Sequence, residues 1–196
     1  MNTLHIICTV FHRCITLRRL IDCFILQTSQ NWVLHIVHDG PAPEGIKAVM
    51  ALYNDPRIQY EETAQVNGKW GHPNRQMMIK KMILNHRDYL LITNDDNLYV
   101  PEFINYMLKK AGGSTAGMVY CDTVHSYMGY DVLKTQVRQN YIDMGSFIVR
   151  MDVAKRVGFN HFHEAADGTY AERCASFCKA GRLAVLYISK PLFIHC

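Results

Sequence analysis

Two adjacent carboxylates at the end of an apolar run are costly unless a cation shares them. That pattern occurs in YLLITNDDNLYVP, Tyr89 to Pro101, where Leu90, Leu91 and Ile92 give way to Asn94, Asp95, Asp96 and Asn97. A divalent metal is the economical partner. Hard oxygen ligands suit Mn²⁺ or Mg²⁺, which keep positions open for phosphate oxygens and water, and a metal so placed can bridge a diphosphate and neutralise its charge as it leaves. The competing reading is an Asx turn that caps the helix beginning near Pro101. Polar residues end two other apolar runs: Thr9 with His12 and Arg13, and Asp39 after Val33 to Val37. In parallel α/β sheets, ligands bind outside the carboxyl ends of the strands, so parallel strands here would put all these residues on one rim.

The pattern along the chain supports that topology. Leu4 to Phe11 reads as a strand buried on both faces, and Leu17, Leu20, Ile21, Phe24 and Ile25 recur at helical spacing from about Thr16 to Thr28. A strand at Val33–Val37, a helix near Glu44–Tyr53 and a strand at Arg57–Glu61 follow. After the loop Asn67 to Pro73, a helix with Met78, Ile79, Met82, Ile83 and His86 on one face leads into the acidic strand. Phe103, Ile104, Met107 and Leu108 face inward on the next helix, which ends at Gly112. Beyond it, strands at Met118–Cys121, Ser146–Arg150 and Leu183–Ile188 are interleaved with helices around Val153–Val157 and Tyr170–Cys178. Such alternation predicts a three-layer α/β/α sandwich on a mostly parallel central sheet.

Size and charge narrow the class. With 196 residues, the chain has room for one well-buried domain over 1–196. A net charge of +4 suits a small anionic ligand, and no Lys/Arg run or nucleic-acid motif argues for a polynucleotide. The seven cysteines lack CxxC spacing and read as small buried hydrophobes in a reducing compartment. The apolar N-terminus has no basic n-region or cleavage site, and no stretch is long enough to span a bilayer. The expected location is cytoplasmic, with the cytoplasmic face of a membrane as a variant.

Read in order, TVFHR, QNWVLHIVHDG, LLITNDDNLYVPEFI, GSFIVRMDVAKRVGF and the C-terminal ADGTYAERCASFCKAGRLAVLYISKPLFIHC resemble the successive blocks of the GT-A-fold, family-2-like nucleotide-sugar glycosyltransferases. The resemblance implies residues 1–100 as a nucleotide-binding half and 101–196 as an acceptor and catalytic half. It implies that Thr9, Val10 and Arg13 line the nucleotide pocket and that Asp39 accepts a hydrogen bond from the base. Asn94, Asp95 and Asp96 align with the DxD motif, with Asp96 on the metal and Asp95 toward the ribose or donor sugar; Asn94 stands where many relatives have the first aspartate. Asp167 matches the aspartate that deprotonates the acceptor in inverting members, with Glu164 in reserve and an ordinary helix N-cap as its competing role. His195 matches a histidine that closes the metal and phosphate site. Lys69 and Arg75 are loosely placed to contact diphosphate. Gly145 and Ser146, preceded by Asp143, fall where sugars are held, and Tyr127, Tyr130 and Trp70 are either sugar platforms or core.

The implied activity is metal-dependent transfer of a hexose from a nucleotide diphosphate, with UDP as the expected carrier, to a hydroxyl of a glycan, lipid or protein. Inversion is the expected outcome, and the scaffold also supports retention. A nucleotidyltransferase is the alternative enzyme, although TVFHRC lacks the glycine-rich first loop it would need. A non-catalytic binding module is the alternative outside enzymes.

Overall fold

The computed structural model describes residues 2–82, 85–112, 115–163 and 165–196. Strand β1, Leu4–Val10, is buried along its whole length. It lies in parallel register between β2, Trp32–His38, and β4, Tyr89–Asn94. Its residues alternate between two apolar clusters: Leu4, Ile6, Cys8 and Val10 point to one and Ile7 to the other. Because both faces are covered, the strand reads as a continuous apolar run rather than an alternation.

Helices α1 (Cys14–Ile25), α2 (Glu44–Met50) and α4 (Phe103–Gly112) cover the first face. Leu17, Leu20, Ile21 and Phe24 form the buried stripe of α1, while Ile25, expected on the same face, is exposed at the end of the helix. Helices α3 (His72–Lys81), α5 (Met151–Val157) and α6 (Ala166–Ala180) cover the second. The result is the expected three-layer α/β/α sandwich.

The sheet is mixed toward one side. Its order is β3 (Ile58–Glu62), β2, β1, β4, β8 (Phe147–Arg150), β6 (Ala116–His125), β9 (Ala184–His195) and β5 (Leu98–Tyr99), with β7 (Asp131–Leu133) added to β6. The first four strands in this order are parallel, as are β6 and β9. Strand β8 runs antiparallel to β4 and β6, and β5 antiparallel to β9.

Three elements depart from the sequence pattern. Helix α3 stops at Lys81 instead of reaching His86, which lies in an exposed turn; Ile83 is outside the described residues. Asn85 accounts for this, because its side chain accepts from Arg87 N at 3.1 Å and its carbonyl from Asp88 N at 3.0 Å, a local turn that competes with helix. Strand β6 runs on past Cys121 through Asp122, a fully buried carboxylate satisfied by Lys134 Nζ (2.9 Å), Thr135 N (3.1 Å) and Tyr187 Oη (2.6 Å). Strand β9 continues unbroken to His195, following β6 across two register shifts near Asp122.

Candidate active site

Register brings the polar strand ends together. Thr9 pairs with Val37 on one side and Asn94 on the other, so Asp39, two residues past Val37, and the pair Asp95–Asp96 leave the sheet at the same edge. Between them lies a cleft of about 320 Å³ lined by Thr9, Val10, Arg13, Asp39, Asn94, Asp95 and Asp96, with Gly68, Trp70 and Gly71 across from them. Trp70 is 61% exposed there and so is not a core residue.

Asp39 builds the wall of this cleft. Its carboxylate accepts from the backbone N–H of Asn67 (2.8 Å) and Gly68 (2.9 Å) and from Asn74 Nδ2 (2.9 Å), which folds the 67–71 loop back over the strand ends. The loop closes through Gly71 at φ +77°, where an added Cβ would meet Thr9 Oγ1 at 2.6 Å. A Gly71→Ala change therefore combines backbone strain with a steric clash. It is expected to lower stability by about 2 kcal/mol, read as a drop in thermal midpoint, and to narrow the cleft at Thr9.

The acidic tip is under-coordinated. Asp95 is 4% exposed, and its Oδ2 has no hydrogen-bond partner. Burial, reinforced by the neighbouring Asp96 and opposed by Arg13 and Arg75, pushes its carboxyl up to about 7. Arg13, a half-exposed side chain, forms an ion pair with Asp96 and approaches Asp95 Oδ1 at 3.5 Å. An orphaned buried carboxylate oxygen beside a second, more accessible carboxylate fits an oxygen-loving divalent cation whose remaining positions come from ligand and water. Among the described residues, no group of three or more His, Cys, Asp and Glu side chains is arranged to hold a metal by itself.

A second acidic group lies deeper in the second half of the chain. Asp167, in the first turn of α6, is pushed up to about 7 by burial and by the nearby Asp143, against the pull of Arg75 and a hydrogen bond from the Met144 backbone. Asp143 is raised as well, chiefly by burial, although His195, the Gly145 N–H (2.8 Å), His125 and Arg75 all favour its charged form. Arg75 is the shared cation of both groups. It is 1% exposed, donates from Nη2 to Asn94 Oδ1 at 2.5 Å, hydrogen-bonds His72, and acts electrostatically on Asp95, Asp143 and Asp167.

Several expectations change accordingly. Arg75 is enclosed rather than set on the cleft lining: it is 1% exposed, its two terminal nitrogens meet His72 and Asn94, and its Nε has no hydrogen-bond partner. His195 does not pair with Asp96: its Nε2 lies 3.6 Å from Asp143 Oδ2, its Nδ1 is 3.0 Å from Ser126 Oγ, and its ring stacks on His125 at 4.4 Å. Pairing of Leu98 with Ile194 still sets it next to the strand that follows the acidic tip. Lys69 is exposed and absent from the cleft lining, unlike Gly68, Trp70 and Gly71 around it. Glu164 lies outside the described residues. Tyr127 and Tyr130 are 87% and 58% exposed, not core. Asp143 is the residue that sequence reasoning undervalued; its only signal is its place two residues before Gly145.

The family model described as glycosyl transferase family 2 matches residues 5–171. No curated protein sequence matches the chain. Among solved structures, S. aureus TarS 1-349 in complex with UDP is similar at a TM-score of 0.78 and 11% identity, covering 98% of this chain and 60% of that one. The mannosyltransferase PcManGT from Pyrobaculum calidifontis, in complex with GDP-Man and Mn²⁺, is similar at 0.76 and 14%, covering 98% and 56%. The chain thus spans less than two thirds of these solved chains, and at such identity the likeness concerns the GT-A fold alone. Among the described residues, no helix is long and apolar enough to cross a membrane. With the family match extending over most of its length, the chain belongs to glycosyl transferase family 2.

Proposed function

We propose that this domain is a metal-dependent glycosyltransferase that moves a hexose from a UDP-sugar to a hydroxyl of a glycan, lipid or protein acceptor, with inversion at the anomeric carbon. The observation that carries it is the single cleft shared by Thr9, Asp39 and the Asp95–Asp96 tip, whose buried Asp95 oxygen lacks a partner. Further support comes from solved relatives of the same fold that carry UDP in one case and GDP-Man with Mn²⁺ in another.

Thr9, Val10 and the Asp39-anchored loop enclose the nucleotide, and Asp95 and Asp96 hold the divalent ion. When bound, that ion supplies Lewis-acid stabilisation of the departing diphosphate. Asp167 is the base: it takes the proton of the acceptor hydroxyl as that oxygen bonds to the anomeric carbon and the bond from that carbon to the diphosphate breaks. Loss of hydration on burial, with like-charge pressure from Asp143, raises its basicity to a useful range. His195 keeps Asp143 in place and has no assigned contact with the ion. The residues contributing the cleft, up to about 100, form the donor half, and those beyond them the acceptor half.

A thermal-shift screen with UDP-, GDP- and dTDP-sugars tests this function. UDP is expected to stabilise the wild type only when Mn²⁺ is present, and Asp96→Ala to abolish that response. Turnover of CTP or ATP would instead favour a nucleotidyltransferase, and no response to any nucleotide would leave a binding module.

A further inference from the structure

Arg13 stands where the proposed function needs a metal. Its guanidinium pairs with Asp96 and lies 3.5 Å from Asp95 Oδ1, while Asp95 Oδ2 stays without a partner. The substitution is incomplete: one positive charge faces two carboxylates, and at 3.5 Å the approach to Asp95 is too long for a direct hydrogen bond. A divalent ion would satisfy more of these oxygens with twice the charge.

Local backbone geometry puts Arg13 in this position. His12, a non-glycine residue, sits at φ +59°, a left-handed conformation that requires compensation elsewhere. That turn ends β1 and makes Arg13 the residue immediately before α1, where it supplies no side-chain cap to the helix. Its side chain is 56% exposed and leads across the cleft to the end of β4, so it can move without disturbing the core. It also lines the same cleft as Thr9 and Asp39, within which a diphosphate would have to lie.

Building on the proposed function, we infer that Arg13 is a positioning residue that occupies the metal's seat in the empty protein and transfers to the diphosphate when metal and nucleotide arrive together. Metal and guanidinium compete for the same carboxylates, so the ion alone binds weakly. A diphosphate gives the displaced guanidinium a new anionic partner, with which Arg can form paired hydrogen bonds. Metal and nucleotide thereby favour each other's binding, and by linkage the effect is reciprocal.

The test is Mn²⁺ binding followed by the loss of the free-ion electron paramagnetic resonance signal, with and without UDP, in wild type, Arg13→Gln and Arg13→Lys. In the absence of UDP, Arg13→Gln is expected to bind Mn²⁺ about tenfold more tightly than wild type, since its competitor is gone. UDP is expected to tighten Mn²⁺ binding by a larger factor in wild type than in Arg13→Gln, with Arg13→Lys between them. Equal Mn²⁺ affinity of wild type and Arg13→Gln, together with UDP enhancement in both, would overturn the role of Arg13 and leave the proposed function standing. Failure of every protein to take up Mn²⁺, even with UDP, would overturn both. Circular dichroism of each variant confirms that a change of affinity is not a loss of fold.

Discussion

Asp167→Asn should lower transfer about a thousandfold while leaving UDP-dependent stabilisation intact, because the amide cannot accept the acceptor's proton yet keeps the shape of the carboxyl. The pH profile provides a sharper check. With the Asp167 carboxyl raised to about 7, wild-type kcat/KM should climb as pH increases through 7 and level off above it; the variant's residual rate should lack that limb. Stability should move the other way. An ordinary aspartate has a value of 3.8 and this one about 7 in the fold, so the native state binds the proton more tightly than the unfolded chain. The carboxyl therefore costs nothing below pH 3.8, and native stability falls progressively as pH rises from there to about 7. Replacing it by Asn removes that penalty. The variant should be more stable than wild type by about 2 kcal/mol at pH 8, less than the full shift would give because the side chain stays partly hydrated, and no more stable near pH 3.5. Urea unfolding at the two pH values decides it. Asp167 is not the helix cap, since Ala165 takes that position without a side-chain bond; a variant that loses stability at pH 8 would mean that the charged aspartate is a structural ion held by Arg75 and the Met144 backbone and not a strained base.

Arg75→Met should produce the largest loss of stability, about 4 kcal/mol, since removing one partner of a buried ionic group leaves the others uncompensated. The guanidinium is enclosed among Asn94, His72 and the fields of Asp95, Asp143 and Asp167. Methionine fills part of the space but offers no charge. A second substitution separates the electrostatic share from packing. If Arg75 serves chiefly as counter-ion, combining Arg75→Met with Asp167→Asn should recover more than 1 kcal/mol relative to the sum of the single effects. Strict additivity in urea denaturation would instead show that Asp167 does not draw on Arg75, and would leave the loss to the bonds with Asn94 and His72, the fields of Asp95 and Asp143, and the guanidinium's seat 5.8 Å over the Phe159 ring.

The parts of this molecule legible in the sequence are those set by local periodicity and by the geometry of parallel sheets. The stripe Leu17, Leu20, Ile21, Phe24 specified α1, and the polar ends at Thr9, Asp39 and Asn94–Asp96 could be grouped because parallel strands finish on one edge. What could not be read arises from distant contacts. Asp143 and Asp167 influence each other across a segment that includes β8 and α5, and their common counter-ion, Arg75, comes from the other half of the chain. Nothing in the neighbourhood of Arg75 distinguishes a buried hub from a surface phosphate ligand. Asp122 misled in the opposite sense: a carboxylate ordinarily ends a strand, and only Lys134 and Thr135, just past the end of β7, and Tyr187 of β9 let the strand continue through it.

The pairing of Tyr99 with Phe193 and of Leu98 with Ile194 joins residues roughly a hundred positions apart. Such long-range closure is slow to nucleate, so the turn bearing Asp95 and Asp96 should be among the last parts to gain protection from hydrogen exchange during refolding, well after the β1–β2 pair. On the ribosome the same wiring implies that the half carrying β1 to β4 can collapse early, yet its acidic turn is not locked until β9 emerges.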